Sequence, residues 1–298
     1  MDADDERREH EAALRASPAD LDVLADAAGY FLSRAEEEEP GNDAERALAL
    51  AERGSRLVRD GGADEDVADF ALLESAACTA AGDPRGALAR VDGALAARPG
   101  LPELLVERGL LLLDLCRFAE ARAQLEEALR LAPDDPAAHH GLGLLAERGG
   151  DEREARARFA AAHARAPEDY PVPPRLSHRA FERAVEDALA GLPAPVRSYL
   201  ANVAVAVEDV PADDDLLGSD PPLPPTVLGM FRGAPLGEKA SMDPWSHFPS
   251  SIVLYQRNLE RFAADPGDLV EQIGVTLLHE VGHFLGLDEE HLRGRGLA

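Results

Sequence analysis

Between Leu21 and Pro167 the chain alternates stripes of apolar residues spaced three and four apart with short polar breaks, which predicts a succession of amphipathic helices. The pattern is itself periodic. Pro99, Pro133 and Pro167 stand 34 residues apart, and Glu120-Ala121-Arg122 returns after the same interval as Glu154-Ala155-Arg156. Gly109 maps onto Gly143, and Ala94, Ala128 and Ala162 form a further series. Each period holds two helices, as in "LPELLVERGLLLLDLCR" followed by "FAEARAQLEEALRLAPD". The small residues fall where helices must approach closely, and each proline follows the second helix as a stop. Three such pairs are expected at roughly 67–100, 101–134 and 135–168. A looser pair precedes them in "LDVLADAAGYFLSRA" and "NDAERALALAERGSRLV", set apart by "EEEEPGN"; Glu36 to Glu39 reads as a solvated helix end and loop.

The texture changes at "EDYPVPPRLSH", where Pro171, Pro173 and Pro174 predict a stiff linker over 170–177. Ser177 is placed to cap a helix in "HRAFERAVEDALAGL", with Phe181, Val185, Ala188 and Leu189 on its apolar face. "NVAVAVEDV" alternates as a strand does, and "TVLGMFRGAPL" and "SIVLYQ" are two further short strand candidates. "PADDDLLGSDPPLPP" reads as a loop, and "PGDLVEQIGVTLLHEVGHFLGL" as a last long helix. The expected fold class is therefore multidomain: an all-α helical solenoid over 1–169, then a small α+β domain over 178–298.

Composition narrows the partners. Of 298 residues, 57 are Asp or Glu against 30 Lys or Arg, a net charge of −27, which repels nucleic acid and anionic membrane. The opening "MDADDERREHEAALRASPADLDV" has no apolar core of the kind a signal peptide needs, and no run is long enough to span a bilayer. The two cysteines, Cys78 and Cys116, sit in apolar helical surroundings and are expected as small core residues, with the cytoplasm as the compartment.

The candidate chemistry lies in "LLHEVGHFLGLDEEHL". Residues four apart on a helix lie about 40° out of line and one turn apart, so His279 and His283 can aim their imidazoles at one zinc ion. Glu280 stands about 100° round from His279, beside the metal, where it can take a proton from water. Gly286 can end the helix in the left-handed conformation and turn the chain back. Of the residues that follow, Asp288, Glu289, Glu290 and His291 are candidates for a third ligand. Glu289 leads because it stands six after His283, a spacing that resembles the zincin motif His-Glu-x-x-His-x-x-Gly-x-x-His/Asp. The sequence runs only fifteen residues past His283, which argues against a ligand on a second downstream helix and against a methionine turn; Met230 and Met242 are expected as core or strand residues. His247 reads as a surface loop residue and Trp245 as a packing anchor.

Two resemblances follow from these residues. The period, the small residue in the first helix and the closing proline resemble the tetratricopeptide repeat, whose groove binds peptide segments of partner proteins. Residues 178–293, with "FERAVEDALAGLP", "NVAVAVEDVP", "LGMFRGAPL", the strand "SIVLYQRNLERF" and "HEVGHFLGLDEEHL", resemble the minimal-zincin metallopeptidases of bacteria. That family's His-Glu-x-x-His-x-x-Gly-x-x-Asp/Glu pattern falls on His279, Glu280, His283, Gly286 and Glu289. The resemblance implies a zinc-dependent peptidase with His279, His283 and Glu289 as metal ligands and Glu280 as general base. Its substrate would be a peptide, laid along an edge strand for which "VLGMFRG" is the candidate. The alternative is a repeat-based scaffold whose zinc is structural.

Overall fold

The computed structural model describes residues 3–37, 42–59, 63–200, 203–233, 250–287 and 291. The chain divides into two compact units, one made of 1–170 with 219–223, the other of 171–218 with 224–298.

The first unit is helical. It runs through α1 (Ala3–Ala16), α2 (Leu21–Glu37), α3 (Asp43–Val58), α4 (Asp64–Ala80), α5 (Pro84–Ala97), α6 (Pro102–Asp114), α7 (Phe118–Leu131), α8 (Pro136–Arg148) and α9 (Glu152–Arg165). Helix α1 carries no regular apolar stripe beyond Leu14, which explains why the sequence pattern did not disclose it. Prolines open α5, α6 and α8, a position where the missing amide hydrogen costs nothing. Leu104, Leu112, Leu125 and Leu142 are fully buried in one continuous core, each contributing about 2 kcal/mol of apolar burial. The small residues do what the period implied: a Cβ on Gly109 would stand 2.6 Å from Leu125 Cγ, and one on Gly143 would stand 2.6 Å from Phe159 Cε1.

The second unit holds α10 (His178–Gly191), α11 (Ala194–Tyr199), β1 (Ala204–Glu208), α12 (Asp213–Leu216), β2 (Gly229–Arg232), β3 (Ser251–Tyr255), α13 (Gln256–Phe262) and α14 (Pro266–Phe284). Ser177 caps α10 by accepting from the Ala180 amide. The described sheet has the order β1-β3-β2: β3 pairs in parallel with β1 (Val205 opposite Ile252) and antiparallel with β2 (Phe231 opposite Ile252). Central β3 is buried from Ile252 to Tyr255, as a strand covered on both faces must be. Ile252 and Leu254, on one face, pack with Leu269, Ile273, Leu277, Val281 and Phe284 of α14, and α10 adds Phe181 and Val185.

Three local readings differ. The strand expected through "SIVLYQRNLERF" stops at Tyr255, and α13 takes over from Gln256, whose side-chain amide donates to Glu260 one helical turn on at 2.8 Å, a pairing that a strand would not allow. The expected loop 211–225 contains α12, and residues 219–223 of it belong to the first unit. Cys78 is buried as expected, but Cys116 is half-buried in a turn with φ +57°, outside any helix.

Candidate metal centre

Helix α14 carries the motif and is fixed at both ends. Asp265 caps it, accepting from the amides of Gly267 (2.7 Å) and Asp268 (3.0 Å), with Pro266 at the first helical position. Its C-terminus closes on Gly286 at φ +85°: the Gly286 amide donates to His283 O and the Leu287 amide to Gly282 O, both at 3.0 Å. Only a residue free to turn left-handed gives this double closure without strain.

Leu277, Val281 and Phe284 point into the core, which fixes the rotation of the helix. His279 and His283 are half-buried, one turn apart, with ring planes at 81° and Nε2 atoms 3.0 Å from each other. Two imidazole nitrogens sharing one tetrahedral zinc at about 2.0–2.1 Å would stand about 3.3 Å apart, so this pair fits such an ion. His283 Nδ1 lies 3.2 Å from the Leu287 carbonyl oxygen, where an Nδ1–H donates and leaves Nε2 as the basic nitrogen. The glycine turn thus orients the second histidine. Sequence reasoning missed this backbone partner, although the glycine three residues beyond His283 was its signal. Glu280, between the histidines in sequence, is 6 % exposed.

Strand β2, an outer strand of the described sheet, is seated against the same helix. A Cβ on Gly229 would stand 2.8 Å from Thr276 Cγ2, one turn before His279 and Glu280, and Phe231 packs on Phe284 with ring centroids 5.7 Å apart. The far end of β2 is tied by Arg232, which donates to both Glu208 oxygens (2.9 and 3.0 Å) and to Asp215 (2.8 and 2.5 Å). Tyr255 donates to Asp215 from the central strand at 3.1 Å. Burial works to raise the Asp215 pKa, but Arg232 and Tyr255 outweigh it and hold the carboxyl below its ordinary range.

The remaining sequence candidates are placed as follows. Met230 lies in β2. His291 is exposed. Glu289, Asp288, Glu290, Met242, Trp245 and His247 lie outside the described residues. Among the described residues no three His, Cys, Asp or Glu side chains converge as metal ligands, and no helix is long and apolar enough to cross a membrane.

Comparison with known proteins divides along the chain. Residues 200–297 match the model of the zincin-like metallopeptidase family, and residues 79–147 match that of the tetratricopeptide repeat. Among solved structures, MamA is 17% identical over 56% of this chain and 91% of its own, with a TM-score of 0.42. TTC0263, a thermophilic TPR protein of Thermus thermophilus, is 25% identical over 56% of this chain and 84% of its own, with a TM-score of 0.45. YrrB, a TPR protein with an unusual peptide-binding site, is 16% identical over 53% of this chain and 93% of its own, with a TM-score of 0.31. No curated protein matches the chain. The chain carries a helical, tetratricopeptide-like solenoid followed by a small zincin-like α+β region.

Proposed function

We propose that the protein is a zinc-dependent peptidase, with His279, His283 and Glu289 holding the metal and Glu280 as the general base. The observation that carries this reading is the pair of imidazoles whose Nε2 atoms stand 3.0 Å apart, the second braced from behind by the Leu287 carbonyl. A structural histidine pair needs neither that brace nor a buried carboxylate between its members in sequence. Zinc, when bound, would supply Lewis acidity toward a water molecule and the scissile carbonyl. Glu280 takes a proton from the attacking water and delivers it to the departing amine. Its burial on α14 keeps competing water away from the carboxylate. An extended peptide would add to the outer edge of β2, which Gly229 brings against Thr276 just before the motif. The helical repeats bind a protein or peptide partner and raise its concentration for the peptidase.

The test compares the purified protein with Glu280→Ala for zinc content and for cleavage of a diverse peptide library. Zinc in both, with turnover at least about a hundredfold lower in the variant, is the expected result. Zinc in both with no cleavage by either gives the structural-zinc scaffold instead, and absence of zinc from the parent sinks both. Alanine at Glu289 should sharply lower zinc affinity, whereas alanine at His291 should not.

A further inference from the structure

Three equivalent turns join the two helices of successive repeats, after α4, α6 and α8. In each, the amide of residue 82, 116 or 150 donates to the carbonyl three back (Thr79, Leu113, Glu147), at 2.9, 2.9 and 3.0 Å. The following amide donates to the carbonyl five back (Cys78, Leu112, Ala146), at 2.8, 2.8 and 2.9 Å. This closure requires a left-handed residue, and φ is +75°, +57° and +76° at the three positions. The outer two are Gly82 and Gly150, each followed by an aspartate, Asp83 or Asp151, that caps the next helix.

The middle turn has Cys116 and Arg117 instead. Cys116 bears a side chain where a left-handed backbone crowds one, and α7 begins without a side-chain cap. Two separate stabilising devices are therefore missing from one turn, and the same turn is touched by a distant segment. The Cys116 thiol donates to the Leu223 carbonyl at 3.4 Å, with the Asp114 carbonyl a longer second acceptor at 4.0 Å. Asp220 pairs with Arg85 at the start of α5, and Ser219 Oγ donates to Pro221 O at 2.8 Å, fixing the shape of the segment itself. Residues 219–223, "SDPPL", form part of the first unit although the chain on both sides belongs to the second.

We propose that this edge of the repeat array is a docking surface for residues 219–223, and that Cys116 is its positioning residue. A glycine at 116 would relieve the backbone but offer nothing to the Leu223 carbonyl. The Arg85–Asp220 pair is largely exposed, with side chains 62% and 75% accessible, so it adds direction more than strength. The central repeat has given up local stability at the one turn where a thiol meets the strap.

Two measurements on the full chain test this. Cys116→Gly should raise the unfolding midpoint of the repeat unit by about 4 °C, as relief of strain predicts. It should also speed hydrogen exchange in the peptide covering 217–223 at least about fivefold. Unchanged exchange there overturns the docking role, and a lowered midpoint overturns the exchange of stability for contact. In the parent background, replacing Asp220-Pro221-Pro222 by Gly-Ser-Gly should accelerate iodoacetamide alkylation of Cys116 at least about fivefold while buried Cys78 stays slow. Equal alkylation of Cys116 in parent and variant would also overturn the proposal.

Discussion

The two units solve the problem of burial with different emphasis. The repeat unit fills its interior with Leu and Ala and lets helices touch through glycine, so that many equivalent contacts share the stability. The second unit adds a carboxylate with no accessible surface at all, whereas the buried acids of the repeat unit, Asp43 and Glu74, each stay 8% exposed. Glu260, fully inaccessible, accepts from Arg175 (2.7 Å), the Leu176 amide (3.0 Å) and Gln256 (2.8 Å), while Gln256 also donates to Leu176 O at 2.9 Å. One carboxylate thus fastens the stretch just before α10 to α13. An array of like parts tolerates local compromise, as its middle turn shows; a small sheet domain pinned at single points does not.

The contrast is sharpest at Glu260. Glu260→Ala leaves the Leu176 amide without its acceptor and opens a polar void, at a cost of about 2–3 kcal/mol. Arg175, 41% accessible, can turn to water, and Gln256 keeps the Leu176 carbonyl. Chemical denaturation should show the transition of the second unit shifted strongly and that of the repeats in place. A common shift of both would dissolve the distinction. Next in size is a test within the repeats: Gly109→Ala drives a methyl against fully buried Leu125 and should destabilise by about 1–2 kcal/mol, even after the helix-propensity gain. Gly93→Ala, on exposed α5 surface with nothing within 4 Å, should instead stabilise by up to about 1 kcal/mol. If both variants behave alike, close approach is not what Gly109 serves.

The smallest effect is a pH dependence beside the middle turn. Burial, with the Glu107 carboxylate nearby, pushes Asp114 up to about 6. Because the folded protein holds this proton more tightly than the unfolded chain, the group costs stability above about pH 6. That cost disappears as the pH falls through about 4. Asp114→Asn should therefore stabilise the repeat unit by on the order of 1 kcal/mol at about pH 7, with the advantage gone near about pH 4. Thermal midpoints of the two proteins across that range provide the check.

The solenoid was legible because its signal is repeated: a spacing of 34 that recurs in prolines, glycines and alanines needs no knowledge of what packs on what. The long helix of the metal motif was legible from the run "PGDLVEQIGVTLLHEVGHFLGL", with Pro266 near its start, and from Gly286. What escaped depends on partners distant in sequence. Glu260 reads as a surface acid until Arg175 and Leu176, more than eighty residues earlier, are brought to it. Gly229 reads as a strand residue open to close approach, but what approaches it stays unnamed until Thr276 lies against it. Cys116 looked apolar by its neighbours, and only the 34-residue register with Gly82 and Gly150 marks it as an exception. That comparison was available in the sequence, since both glycines are there to be aligned.

Helix α14 has one further implication, for how the sequence can drift. From Thr276 to Phe284 the buried positions are Thr276, Leu277, Glu280, Val281, Gly282 and Phe284, and two of the remaining three are the histidines. Core and chemistry interleave on a single stretch with almost no spare letters. Exposed Val270 and Val275, a turn or two earlier, are where neutral variation has room to accumulate. Selection for fold alone would already conserve most of this stretch, so the sensitivity of His279 and His283 to substitution is the measure that separates chemistry from architecture.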